Sequence, residues 1–447
     1  MITNKQPSRR SFLKSTAIAT AAAPFLLPSR LWSAEVKPSD RLNLGFIGMG
    51  TQNRGLMGGF LSRKETQVVA VCDVDTNRRE DARKRVEEHY AKQTDSGAYK
   101  GCGAYDDFRA LLIRKDIDAV VIATPDHWHA YISIAAAKSG KDIYCEKPLC
   151  QSIHEARAMV NAMRKNKRVF QTGSMQRSSK EFRIACELVR NGVIGKISKV
   201  EVAIGVPGIP CDLPTEPDEP GLDWDMWLGP APERGYHSKL SPRGVHKHFP
   251  GWRDYREYGG GMVTDWGAHH FDIAQWGLGM DESGPVEIFP VDNPKATQGV
   301  RLLYANGVEA VHVNSGYGVV FHGSAGQVKV NRGKFELWLG GEQKTKAGAK
   351  VGEEADRIEK EYLAGAKVRL YSSSSHGTDW LNSIKTRKPP ICDVEVGARS
   401  VSVCHLVNLA YYHGQKMKWN PRSEKFTGGT GNKAWLNVPH RDPWQVA

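Results

Sequence analysis

Nearly continuous apolar runs at 42–47, 67–72 and 119–123 punctuate the first third of the chain. Short runs without a polar alternate fit strands buried on both faces of a parallel sheet. Helix-patterned segments separate them: a charged one at 78–92, and one at 105–114 that places Phe108, Leu111 and Leu112 on one face. The alternation continues through a strand at 142–145, an amphipathic helix at 153–165 and a strand at 168–171. Strand and helix in turn predict an α/β fold whose amino-terminal domain, residues 35–170, is a doubly wound parallel sheet.

Near residue 175 the pattern changes. A helix at 181–191 and a strand at 196–204 lead into a long stretch, 205–261, rich in Pro, Gly, Trp and Asp. Irregular segments of that length are usually functional loops. Alternating strands follow at 286–291, 299–304, 309–314 and 327–331, with turns at Asn306-Gly307 and Arg332-Gly333. They predict a second domain, residues 171–447, built on a large, mainly antiparallel sheet. The polar stretch 340–359 reads as a surface excursion, and 378–386 and 397–414 as helices.

Chemistry gathers at the carboxyl ends of the first-domain strands, where ligands of doubly wound sheets bind. Gly48 and Gly50 follow the first strand and precede a helix, so backbone N–H groups there can approach a pyrophosphate. The third glycine of the usual spacing is replaced by Asn53, with Arg54-Gly55 beyond it. Asp73 ends the second strand, where a carboxylate accepts ribose hydroxyls and repels a 2′-phosphate, which favours NAD over NADP. Thr124-Pro125 ends the third strand. His127 and His129 after it serve either ligand contact, His129 foremost, or the capping of the next helix.

Glu146-Lys147-Pro148 ends a further strand and aims Lys147 at the same crevice, where a cation favours an alkoxide-like transition state. Asp265 and His269 are four apart and share a helix face. Histidine suits removing a hydroxyl proton, and Asp265 either orients it or grips the substrate. With Asp272 they complete an Asp-x-Gly-x-His-x-x-Asp element. On these residues the chain after its leader resembles the Gfo/Idh/MocA oxidoreductases, the group of glucose–fructose oxidoreductase and inositol dehydrogenase. Asp223 to Pro230 and Arg441-Asp442-Pro443-Trp444 are similar to the exported branch of that family.

The resemblance implies an amino-terminal Rossmann domain, a carboxy-terminal α/β domain whose open sheet often mediates homo-oligomers, and a nicotinamide-dependent reaction on a sugar or polyol. It places Lys147, Asp265 and His269 in the catalytic positions, and Gly48, Gly50, Asn53, Asp73, Thr124, Pro125, His129, Glu146 and Lys147 around the cofactor. The long loop carries Trp224, Trp227, Tyr236, Trp252, Tyr255 and Tyr258 beside Asp223, Asp225, Arg253 and Arg256. Sugars stack on aromatic rings while polar groups read their hydroxyls, which makes Trp252 and Tyr258 substrate candidates. The same rings serve equally well as core anchors.

Ser8-Arg9-Arg10-Ser11-Phe12-Leu13-Lys14 and the apolar run after it have the form of a twin-arginine signal over residues 1–34. The twin-arginine translocase is therefore an expected partner and the periplasm the expected address, with a membrane tether if the leader is retained. Five of the charges behind the net +13 lie in that leader, the rest are scattered, and nucleic-acid binding is not expected. The eight cysteines show no metal-ligand spacing, and His246-Lys247-His248 reads as a solvated loop, so no metal is expected.

The leading expectation is oxidation of a secondary hydroxyl on a sugar, glycoside or cyclitol, with hydride passing to NAD. Export separates the protein from the cytoplasmic NAD pool, so the cofactor is expected to be loaded first and to stay bound. A redox-neutral NAD-dependent glycosidase is the alternative. A non-catalytic sugar- or nucleotide-binding sensor is a further one, against which intact Lys147, Asp265 and His269 speak.

Overall fold

The computed structural model describes residues 40–314 and 316–446; the leader motif lies outside them. Six parallel strands in the order β3-β2-β1-β4-β5-β6 form the amino-terminal sheet. They are β1 (Leu42–Ile47), β2 (Thr66–Cys72), β3 (Gly103–Tyr105), β4 (Ala119–Ile122), β5 (Asp142–Cys145) and β6 (Phe170–Thr172). The crossovers carry α1 (Thr51–Leu61), α2 (Thr76–Ala91), α3 (Phe108–Leu112), α4 (Asp126–Lys138) and α5 (Ile153–Asn166). Capping fixes several of these starts. Asp75 accepts from Asn77 N and Arg78 N ahead of α2, and Ser152 with Glu155 makes a capping box at α5.

The strands are apolar throughout because both faces are covered. Leu44, Phe46, Val68, Val71, Val121 and Tyr144 pack against α1 and α2. Ile47, Cys72, Val120, Ile122, Ile143 and Cys145 pack against α3, α4 and α5. Later segments finish both layers. Trp380 and Ile384 of α11 (His376–Thr386) join the first cluster, with Trp380 edge-on to Phe60 and Tyr144 at 5.5 and 5.7 Å. Val394, Ala398 and Val401 of α12 (Val394–His413) join the second, as does Trp444, whose ring lies 4.9 Å from that of Trp128.

A ten-stranded sheet forms the second layer, in the order β14-β13-β12-β11-β7-β10-β9-β8-β15-β16. It comprises β7 (Ile197–Ala203), β8 (Glu287–Phe289), β9 (Arg301–Leu303), β10 (Glu309–Val313), β11 (Val319–Gly323), β12 (Gly326–Asn331), β13 (Lys334–Leu339), β14 (Glu342–Gln343), β15 (Met417–Asn420) and β16 (Lys425–Thr427). Only β7 and β10 run parallel among the paired strands. Alternate residues such as Val200, Val202, Ala310, Phe321, Val328 and Leu337 face a helical layer of α6 (Lys180–Arg190), α9 (Gly267–Leu278), α10 (Val351–Tyr362) and α12. Such a sheet leaves its other face to solvent.

Three expectations are corrected. The stretch 340–359 is not a surface excursion: α10 buries Ala355 and Ile358 in the core, and its apolar stripe was hidden among Glu and Lys. Asp265 and His269 do not share one helix, because α8 (Met262–Asp265) ends at Trp266 before α9 begins. The loop 205–261 has structure of its own: α7 (Trp224–Leu228) and a small core of Trp227, Leu240, Trp252, Tyr255 and Tyr258.

Candidate active site

β1 delivers the chain into Gly48-Met49-Gly50. Gly48 has φ +81°, and a Cβ there would stand 2.9 Å from Thr124 N and 3.0 Å from Ala123 O, so only glycine fits. At Gly50 nothing lies within 4 Å of where a Cβ would be, and the helix that follows has no side-chain cap. Its first N–H groups are therefore available to an anion. Asp73 closes the far end: Oδ2 accepts from Met49 N at 2.6 Å and Oδ1 from Asp75 N at 2.9 Å. Burial raises its pKa above the ordinary carboxylate value.

These groups, with Thr124 and Pro125, line a cleft of about 840 Å³ whose apolar walls include Ile47, Val74, Phe108 and Trp128. Uncapped N–H groups, a glycine that leaves the cleft open and an acidic far end suit a dinucleotide. Asn53 is elsewhere than expected. It is 0% exposed and lines no cleft, and its Nδ2 donates to the carbonyls of Ile47 (3.0 Å) and Gly48 (2.9 Å). Its work is to hold the turn.

Residues 241–250 form a strap along this cleft and place Ser241, His246, Phe249 and Pro250 in its lining. Arg78 donates to Ser241 Oγ (3.3 Å), to the Gly244 carbonyl (3.3 Å) and to the Pro242 carbonyl. Arg54 donates to the His246 carbonyl and Thr51 Oγ1 to the His248 carbonyl at 3.0 Å. The His246-Lys247-His248 stretch, expected to be a solvated loop, is held to α1 through its carbonyls while Lys247 and His248 stay exposed, and His246 lines the cleft.

A second cleft, of about 1190 Å³, shares Gln52, Thr124, Trp252 and Arg253 with the first. Here Lys147, Asp265 and His269 come together. Lys147 Nζ donates to Asp265 Oδ1 at 2.7 Å and to the Asp265 carbonyl at 3.0 Å, which leaves one N–H of the ammonium for a ligand. Burial raises the Asp265 pKa, but Lys147 and Arg253 outweigh it and hold the group below the usual carboxylate range. His269 is 3% exposed and its Nδ1 has no partner among the described residues. Burial, reinforced by Lys147 and Arg332, lowers its pKa well below 6.5, so the ring is neutral at neutral pH and able to take a proton.

Glu146 is buried, its pKa raised by burial, and its Oε1 accepts from Gln52 Nε2 at 2.9 Å. His129 lines the cleft but its nitrogens are engaged: Nδ1 lies 2.7 Å from the Pro148 carbonyl and Nε2 3.0 Å from that of Thr124. Two acceptors favour an imidazolium and burial opposes it; burial prevails, lowering the pKa to about 4. The ring ties the Thr124 and Lys147 turns together. Trp252 lines both clefts. Tyr258 lines neither; it is 1% exposed and packs at 5.3 to 5.4 Å against Trp227 and His127 inside the loop. Asp272 is structural, pairing with Arg177 at 2.8 and 2.9 Å and accepting from Ser400 Oγ.

The cleft also holds groups that sequence reasoning missed: Gln52, Trp266 and Arg332. Arg332 had registered only as a hairpin turn, and its position over Trp266 (4.9 Å) depends on how a distant hairpin packs.

Residues 42–174 match the model of an oxidoreductase family with an NAD-binding Rossmann fold, GFO_IDH_MocA, and residues 210–329 match that of its C-terminal alpha/beta domain. The chain is 30% identical over 210 residues to Glycosyl hydrolase family 109 protein 2 of Shewanella sp. (strain ANA-3), covering 44% of this chain and 45% of that protein. It is 27% identical over 211 residues to an alpha-N-acetylgalactosaminidase of Shewanella oneidensis, with the same coverage. It therefore spans less than half the length of the curated relatives it matches. Aldose-aldose oxidoreductase from Caulobacter crescentus shares the fold at TM-score 0.55 and 19% identity, over 85% of this chain and 99% of that one. So does the WlbA dehydrogenase from Bordetella pertussis, solved with NADH and UDP-GlcNAcA, at TM-score 0.57 and 15% identity over 85% and 98%. Motif, topology and family matches agree: the chain belongs to the Gfo/Idh/MocA oxidoreductase family.

Proposed function

We propose that this protein oxidises a secondary hydroxyl of a sugar, glycoside or cyclitol, using an NAD that stays bound through turnover and is returned to its oxidised form by a second substrate or a separate electron acceptor. The observation that carries this reading is the convergence of Lys147, Asp265 and His269 on a cleft that shares a wall with the nucleotide cleft. Gly48, Gly50, Thr124, Pro125 and Asp73 would hold the dinucleotide, and the Asp73 carboxylate favours NAD over NADP. When bound, the nicotinamide supplies the hydride acceptor. His269 takes the hydroxyl proton. Lys147, held by Asp265, stabilises negative charge on the same oxygen. The strap at 241–250 supports retention, because it lines the cleft and is held to the helices there by Arg54, Thr51 and Arg78.

Export by the twin-arginine pathway rests on the leader sequence, and periplasmic residence with it; a homo-oligomer joined through the open sheet face completes the reading. The decisive experiment denatures the purified exported protein and identifies the released nucleotide, then follows nicotinamide absorbance as sugars are added to the intact protein. Bound NAD that a sugar reduces is the expected result. Absence of nucleotide, or NADP in its place, counts against it.

The glycosidase relatives favour a second reading, a redox-neutral hydrolase on the same site. In that case transient oxidation acidifies a ring proton, the aglycone is eliminated, water adds and hydride returns. Aryl glycosides without an added acceptor separate the two. Phenol release with no net nicotinamide reduction marks hydrolysis, and accumulation of a keto-sugar marks oxidation.

A further inference from the structure

The proposed chemistry assigns no substrate contact to two guanidinium groups that line the second cleft, Arg253 and Arg332. Arg253 stacks on Trp252 at 4.2 Å, donates from Nη1 to the Pro250 carbonyl at 3.2 Å, and has Nε 3.7 Å from Asp265 Oδ1. That carboxylate is already engaged by Lys147 at 2.7 Å. Arg332 lies at the tip of the β12–β13 hairpin, which reaches back from the sheet to this cleft. Its guanidinium covers the Trp266 ring at 4.9 Å, and its Nε meets the Gln176 amide oxygen at 3.2 Å when that amide is turned to donate to the His269 carbonyl. Among the described residues no carboxylate lies within ion-pair distance of it.

Arg332 is the cation that the acidic lining leaves without an ion pair among the described residues. Asp265 is held by Lys147 at 2.7 Å, Glu146 accepts from Gln52 and from the Lys147 main-chain N–H, and Asp254 faces Lys239 Nζ at 3.6 Å. Two guanidinium groups, each resting on an indole face and one of them without a carboxylate partner, suit a planar or tetrahedral oxyanion. Arg332 also stands close enough to His269 to depress its pKa. Arg332 lines the same cleft as Lys147 and His269.

We propose that the substrate is an acidic saccharide whose carboxylate or sulfate ester seats against Arg332, with Arg253 beside it. The reacting hydroxyl then meets Lys147 and His269. This inference rests on the reading of the cleft as a saccharide site, and it adds that the saccharide carries charge.

Titration calorimetry on the cofactor-containing protein tests it, with glucuronate, galacturonate and the sulfate esters of glucose and galactose, each against its neutral hexose. The expected result is that at least one acid binds about tenfold tighter than its neutral counterpart. That preference should narrow as salt is added and collapse in Arg332→Gln, while Arg332→Lys, which keeps the charge without the fork, retains part of it. Preference for uronates identifies a carboxylate, and preference for the esters a sulfate. Equal binding of acid and neutral sugar, binding of no acid, or a preference unchanged in Arg332→Gln overturns the inference. Nicotinamide absorbance recorded on the same samples separates the two levels: an acid held through Arg332 without reducing the cofactor leaves this inference standing and overturns the proposed oxidation.

Discussion

The two clefts meet at Gln52, Thr124, Trp252 and Arg253, yet they are made differently. The nucleotide cleft is a property of the backbone: a left-handed glycine, an uncapped helix start, and a carboxylate gripping two main-chain N–H groups. The substrate cleft is a property of side-chain ends from separate segments, with Lys147 after β5, Arg253 and Trp252 in the long loop, Asp265 and His269 around a helix break, and Arg332 at a hairpin tip. Backbone construction tolerates few residue types and suits one ligand. Side-chain construction can be re-specified one residue at a time, which is how a single fold serves many substrates.

The sharpest division between the clefts comes from the proposed catalytic pair. His269→Ala or Lys147→Met is expected to lower kcat by about 10²- to 10⁴-fold while the purified protein keeps its nucleotide. Loss of nucleotide together with rate would show that the clefts are not separable. Gly48→Ala attacks the other side: strain at positive φ and collision with Thr124 N cost about 1–3 kcal/mol. Nucleotide content and melting temperature should fall together. Gly50→Ala, with open space at its Cβ, should weaken nucleotide binding and leave the melting temperature of the nucleotide-free protein in place.

A smaller effect is expected of Arg78→Ala, which frees one side of the strap. Release of the reduced nucleotide, followed by loss of its dihydronicotinamide fluorescence after dilution, should quicken by about tenfold with KM for the sugar unchanged. The smallest effect is on pH. Because the pKa of His269 is depressed, activity should persist as pH falls through 6.5, with the acidic limb of kcat/KM appearing below that. Arg332→Gln removes a nearby cation, which makes the imidazolium less costly and raises that pKa. The limb should therefore move to higher pH, and a limb that stays in place would place Arg332 too far from the base to matter.

The same division explains what could be read from the chain. Strands covered on both faces announce themselves as apolar runs, so β1, β2, β4 and β5 were legible, whereas β3, three half-buried residues long, was not. In the open sheet β14, β15 and β16, two to four residues each, went unread because they alternate too briefly, and the longer β11 and β13 went unread beside them. Lys147 stood out because a strand end fixes its direction, and Asp265 and His269 because of the Asp-x-Gly-x-His pattern, although the helix they were expected to share is broken at Trp266. Asn53 misled because a polar residue beside a glycine turn looks like a ligand contact, while its amide satisfies main-chain carbonyls. Tyr258 misled because an aromatic platform and a buried anchor have the same letters. Arg332 was invisible because nothing local says where a hairpin tip will land.

Trp380 and Trp444 complete the two sides of the amino-terminal sheet from segments made more than two hundred residues after its last strand. The nucleotide-binding half therefore cannot be finished while the ribosome is still translating the second half. Its dinucleotide is captured by an essentially whole polypeptide, and a shortened chain lacking those tryptophans should forfeit the first domain along with the tail.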